Sequence, residues 1–279
     1  MKKYSIFIVI LLCSTCANAR AAGVGSTGRG IVEDQIRERT PLDDTAKKEK
    51  IFFNAYYEYG WVQQGFRKGN WQLSTGRFAY SINDMMTPYL AFNTYERFTK
   101  KDYTIDTGYD FRFDKTTYGN AELSVGADVD YMYRYRTNLS YGHKLYKNLC
   151  WEINGRYMNY KGNDVGLASP ALIYYFGNHY VSAAYGVSLT HTRGAAQWGV
   201  FKGTFALNDD LHLSGGMAHG QRLYDIYEID ASKQLGYIFF AGLDYNLVKN
   251  LNARIGYSYS KERPNWQKHS MDFSLNLKF

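Results

Sequence analysis

Residues 103 to 113 read Y-T-I-D-T-G-Y-D-F-R-F. Tyr103, Ile105, Thr107, Tyr109, Phe111 and Phe113 alternate with Thr104, Asp106, Gly108, Asp110 and Arg112, so a strand here has one aromatic face and one polar, charged face. A soluble sheet turns the apolar face to a core. A bilayer-spanning barrel turns it to lipid.

The same division recurs along the chain. Tyr133, Tyr135, Thr137, Leu139 and Tyr141 alternate with Arg134, Arg136, Asn138 and Ser140. It returns at Leu235 to Leu247 and Leu251 to Ser260, and in the terminal run Met271, Phe273, Leu275, Leu277, Phe279. Weaker alternation covers 51–60, 71–81, 89–98, 118–126, 149–160, 166–176, 180–189, 196–207 and 211–219, giving fourteen segments, with twelve as the alternative count. Each is about ten residues, the length a tilted strand needs to cross hydrocarbon. Strands of soluble sheets are shorter. The fold class expected is all-β, an antiparallel up-and-down transmembrane barrel.

Connections support that choice. Short polar turns at 114–116, 146–148, 177–178, 208–210 and 248–250 follow even-numbered segments, while longer stretches at 126–132, 159–165, 190–195, 220–233 and 261–268 follow odd ones. Outer-membrane barrels have this asymmetry, with short turns on the periplasmic side. Leu145 to Leu149, Leu207 to Leu211 and Leu247 to Leu251 share one spacing, which suggests one turn design used three times. Thr99–Asp102 is short for an outer loop, and Ser81–Pro88 is long for an inner turn.

Composition agrees. Aromatics make up 17% of the chain, with 27 Tyr and 4 Pro, yet mean hydropathy is −0.44. The net charge of +7 is spread among acidic residues, whereas nucleic-acid binding calls for a clustered basic surface; a nucleic-acid partner is not expected.

Residues 1–22 have the layout of a secretory signal: Lys2 and Lys3, an apolar run from Tyr4 to Cys16, then Ala17-Asn18-Ala19. With that segment removed, Cys150 is the only thiol and no internal disulfide can form. Residues 23–50 are Gly-rich, then charged, and read as a flexible periplasmic tail ahead of a barrel at 51–279. Whether that tail enters the lumen is left open. A chain ending on Phe279 fits a barrel, because the last strand must pair with the first to satisfy its backbone in lipid.

Several stretches resemble the YaiO family of outer-membrane barrel proteins. They include Tyr118-Gly119, the strand from Tyr133 to Gly142, Trp151 with Arg156-Tyr157, and Tyr175-Phe176-Gly177-Asn178. The likeness covers roughly residues 95–279. It implies location in the outer membrane and a barrel fold. Some members occur beside polysaccharide genes, which implies a saccharide solute. Met271, Phe273, Leu275, Leu277 and Phe279 match the signal read by the barrel-assembly machinery, the expected partner besides outer-membrane lipid.

The search for chemistry yields little. His269-Ser270 is the nearest local base and nucleophile pair, with a rim pair as the plainer reading. Asp225, Glu228 and Asp230 lack the frame of a calcium loop. No zinc motif or nucleotide fingerprint occurs, so no metal, cofactor or catalytic residue is expected.

If the aromatic faces meet lipid, the lumen carries Arg112, Arg134, Arg136, Lys144, Arg156, Lys202, Arg254 and Lys278 facing Asp106, Asp110, Glu122, Glu152, Asp244 and Asp272. Tyr103, Tyr133, Trp151, Tyr257 and Tyr259 are expected in aromatic girdles. The function expected is a passive channel or export conduit for a small anionic or oligosaccharide solute. The alternatives are a non-conducting structural or surface-interaction barrel and, third, a lipid-modifying enzyme.

Overall fold

The computed structural model describes residues 50–65, 67–127, 129–190, 194–221, 235–262 and 266–279. The leader, nearly all of the tail, and Asp225, Glu228 and Asp230 lie outside the described residues.

Fourteen strands form one closed antiparallel barrel: β1 (Ile51–Gln64), β2 (Arg67–Tyr80), β3 (Met86–Arg97), β4 (Lys100–Arg112), β5 (Thr117–Ala127), β6 (Tyr135–Tyr146), β7 (Leu149–Tyr160), β8 (Asn163–Phe176), β9 (His179–Thr190), β10 (Gly194–Ala206), β11 (Leu211–Gln221), β12 (Leu235–Val248), β13 (Leu251–Glu262) and β14 (Trp266–Lys278). Every strand pairs with its chain neighbours, and β1 pairs with β14 from Phe52↔Lys278 to Gln64↔Trp266. Phe279 completes the closure: its N–H donates to Ile51 O at 2.9 Å, and its carbonyl accepts from Lys50 N at 2.8 Å and Ile51 N at 3.1 Å.

The strands are 11 to 14 residues long, beyond the minimum crossing length of about 9 to 11. The hairpins therefore project past the hydrocarbon, and outer connections shorten. The stretch 159–165, expected as a long loop, is mostly strand and turns at Lys161-Gly162, with Gly162 at φ 89°. Similarly, 261–268 is largely β13 and β14.

The three leucine-spaced turns come in two designs rather than one. Leu145–Leu149 and Leu247–Leu251 are two-residue turns, each beside a register shift, between Lys144 and Tyr146 and between Asn246 and Val248. Leu207–Leu211 is different. There Asn208 Oδ1 accepts Asp210 N at 2.9 Å and Leu211 N at 2.7 Å. Its match is the turn after β4, where Asp114 Oδ1 accepts Thr116 N at 2.6 Å and Thr117 N at 2.8 Å. Leucine spacing misleads because the hydrogen-bonding side chain at the second position selects the turn.

Facing follows the expected alternation. Leu139, Phe239, Tyr109 and Phe273 stand on the outer wall, as do Tyr103 toward one end of β4 and Tyr257 at the middle of β13. Tyr133 does not. It is fully buried inside the barrel, in the connection before β6.

Candidate functional site: the lumen and its stopper

Connection 129–134, between β5 and β6, turns into the barrel. Asp102, on the inner face of β4 and without solvent exposure, receives three backbone N–H groups from it: Asp130 at 2.9 Å, Tyr131 at 2.9 Å and Met132 at 2.7 Å. One carboxylate thereby satisfies three donors of a tight non-strand segment, as burial requires. Tyr131, Met132 and Tyr133 then pack with Tyr56, Leu73 and Tyr95 from the first three strands, with Met158, Val165 and Leu167 from β7 and β8, and with Trp198 from β10. Those strands lie on different sides of the barrel, so this cluster reaches across the lumen. Burial raises the pKa of the Tyr131 phenol.

Below the stopper, the β2 to β7 wall carries a buried polar network. Arg136 bonds Asp106 at 3.2 Å and Glu122 at 2.6 Å. Arg77 bonds Asp110 at 2.8 Å. Tyr89 donates to Glu122 at 2.8 Å, and Asn120 to Asp110 at 2.7 Å. Asn93 joins Asp106 (2.9 Å) to Thr104 (3.0 Å) and Thr75 (2.8 Å). Ser124 donates to Asp106, and its hydroxyl meets that of Tyr133 at 3.1 Å, tying the stopper to the network. The Arg77–Asp110 and Arg136–Asp106 pairs each reach over an intervening strand, so they fill the barrel's interior rather than merely lacing neighbours.

On β12 to β14 a smaller charged group stays wetter. Arg254 lies 3.6 Å from Asp244 and 3.7 Å from Asp272, and all three keep 16 to 20% side-chain exposure. Lys202 is part-buried, 5.8 Å from the Tyr180 ring. Toward the short-turn end of the barrel four amides form a ladder: Asn54 donates to Asn276 (2.6 Å), Asn276 to Asn252 (3.2 Å), and Asn252 to Asn246 (3.0 Å). It runs across the β1–β14 closure.

The sequence-assigned lumen residues divide accordingly. Arg136, Asp106, Asp110 and Glu122 meet in the buried network, and Arg156 joins through Asn138 at 2.6 Å. Glu152 accepts from Asn154 at 2.6 Å. Arg112 sits at the end of β4, on the short-turn rim, bonding Asp114 O at 2.9 Å. Arg134 is a correction: it is exposed and precedes β6, because the inward fold of the stopper breaks the alternation just before Tyr135. Sequence reading missed Arg77, Asp102 and the pair Glu58–Lys268, 2.5 Å apart. Parity extended through full-length strands would have found them. His269 and Ser270, adjacent on β14, face opposite ways, His269 outward against Tyr257 (2.7 Å) and Ser270 buried inside. Among the described residues no three His, Cys, Asp or Glu side chains gather to hold a metal.

The model of the YaiO membrane beta barrel domain matches residues 50–201, more than half of the chain. That match includes 50–94, which lie outside the stretch of resemblance seen in the sequence. By sequence, no curated protein matches. Among solved structures, a bacterial polysaccharide outer membrane secretin aligns with a TM-score of 0.62 at 8% identity, covering 84% of this chain and all of that one. The CymD monoaromatic hydrocarbon channel aligns with a TM-score of 0.64 at 6% identity, covering 94% of this chain and 95% of that one. At these identities the likeness is one of fold. With the closed lipid-facing barrel, the family match identifies the chain as a member of the YaiO membrane beta barrel family, an outer-membrane β-barrel protein.

Proposed function

We propose that this protein is a non-enzymatic outer-membrane conduit for a small polar solute, held shut by the stopper at 129–134. The observation that carries this reading is the attachment of the stopper. It is a connection between strands, outside the wall itself, and noncovalent bonds from Asp102 and Ser124 hold it. A barrel built only for stiffness has no need of a separable occluding segment.

A saccharide fits the wetter group on β12 to β14 better than a simple anion. Arg254 stands between Asp244 and Asp272, which offsets its formal charge, while the amide ladder offers donors and acceptors suited to hydroxyl groups. The family resemblance adds the polysaccharide association. Separation of His269 from Ser270 supports the non-enzymatic reading.

The second reading, a non-conducting barrel, draws on the same buried network, which fills one wall. Planar-bilayer recording separates them. The conduit reading expects a quiet intact protein and steady conductance when 129–133 is replaced by a short glycine-serine link; a correctly folded variant that stays silent favours the structural barrel.

A further inference from the structure

The lumen contains an apolar sector that a conduit for polar solutes does not use. Leu167, Trp198, Val200, Ala218, Ile238 and Phe240 point inward from β8, β10, β11 and β12, with Val200 touching both the stopper cluster and the Ala218–Ile238 pair. Val200 and Phe240 remain part-exposed. Beside this sector the wall's ladder is interrupted. The β8–β9 ladder runs from Val165↔Thr190 to Ala168↔Val187 and resumes at Ala171↔Ala184, leaving Ser169 with Gly186 and Pro170 with Tyr185 unpaired. Pro170 has no N–H to give, so the facing Tyr185 carbonyl loses its donor from β8, near the middle of both strands.

On the inner side of this interruption Gly186 has no side chain, and Trp198 lies directly on it: a Cβ there would stand 1.9 Å from Trp198 Cζ2. The Trp198 indole N–H and the Ser188 hydroxyl, 6% and 0% exposed, have no hydrogen-bond partner. Outside, Leu172, Tyr185 and Leu189 face hydrocarbon.

We propose that the β8–β9 seam at Pro170 is a lateral portal by which a fatty acyl chain passes from the bilayer into the apolar sector, displacing Trp198. The occupant follows from position: acyl chains are the apolar molecules on the far side of the seam, and a chain's ester or carboxyl oxygen supplies the acceptor that Trp198 and Ser188 lack. This reading does not depend on the polar conduit.

The test is quenching of Trp198 emission, obtained as the difference between the wild-type protein and Trp198→Phe, in bilayers of phosphatidylcholine brominated on its acyl chains. A parallel arm uses plain bilayers with brominated stearic acid. Loss of Trp198 emission in the first arm, and its recovery in Pro170→Val, supports admission of a phospholipid chain. Loss in the second arm alone supports the same site with free fatty acid as its source. A second variant, Ala171→Cys with Ala184→Cys, clamps the seam when oxidised and releases it when reduced, so quenching should follow the redox state in one folded molecule. Unquenched Trp198 in both arms, or equal quenching with the seam repaired and clamped, overturns the proposal.

Discussion

Asp102 and Met132 meet at 2.7 Å, the carboxylate of β4 accepting a backbone N–H of the connection between β5 and β6. Through this bond and its two companions a stretch that would otherwise cover the outer rim is drawn into the barrel. Hydrogen bonds to a buried charge contribute roughly 1.5 to 3 kcal/mol each. Asp102→Ala should therefore cost about 3 kcal/mol or more in urea unfolding from detergent, and speed tryptic cleavage at the already exposed Arg134 by loosening the connection around it. Asp102→Asn, which keeps one acceptor oxygen, should lie between.

Arg136 serves two carboxylates. Removing it leaves Asp106 and Glu122 buried without their shared cation, so Arg136→Met should destabilise the barrel by about 3 to 5 kcal/mol. Neutralising the acids as well, with Asp106→Asn and Glu122→Gln, should recover most of that loss. A triple variant as unstable as Arg136→Met alone would show that packing, rather than charge, sets the cost.

Facing can be tested in one pair. Phe239→Arg puts a cation on the lipid face and should cost about 2 to 4 kcal/mol near the midplane. Tyr133→Ala empties a buried site inside the barrel and should cost about 3 to 5 kcal/mol, as large aromatic truncations do. Bilayer thickness should modulate the first loss and leave the second unchanged.

In the turn after β4, Asp114 is solvent-exposed. The Thr116 hydroxyl and N–H, with the Thr117 N–H, hold its carboxyl down at about 2. A depressed carboxylate contributes its stability above the unfolded value, near 3.9, and loses it as pH falls through the folded value. Carbon NMR of Asp114 should show it ionised at pH 3, with a midpoint near the lower figure. Asp114→Asn should keep the turn and remove this pH dependence.

Phe279 has two separable roles. Its backbone makes three closing bonds with Lys50 and Ile51, and its exposed ring is available to the proposed assembly partner. Deleting Phe279 should lower the temperature at which the barrel loses its compact gel mobility. Phe279→Ala keeps the backbone bonds. If it slows assembly in cells with unchanged thermal resistance, the ring is read as a signal; normal assembly argues against recognition at this side chain.

The barrel itself was legible in the chain. Two-residue periodicity forces each strand to show one face to lipid and one to the interior, and closure follows because an open edge in hydrocarbon leaves backbone groups without partners. The up-and-down order of the strands and the facing of Leu139, Phe239 and Phe273 needed nothing more, while the choice of fourteen strands over twelve came from the closed structure. Alternation states which residues face inward, yet it is silent on how far a side chain reaches and on whether a connection stays outside. Only the tertiary structure could place Tyr133 inside and Arg134 outside, because Asp102 draws in a segment about thirty residues downstream in the chain. It alone could join Arg77 to Asp110 over a strand, hold the buried network apart from the wetter group around Arg254, and set Trp198 against Gly186. Those relations depend on distances across a closed cylinder, which a local two-residue repeat does not encode.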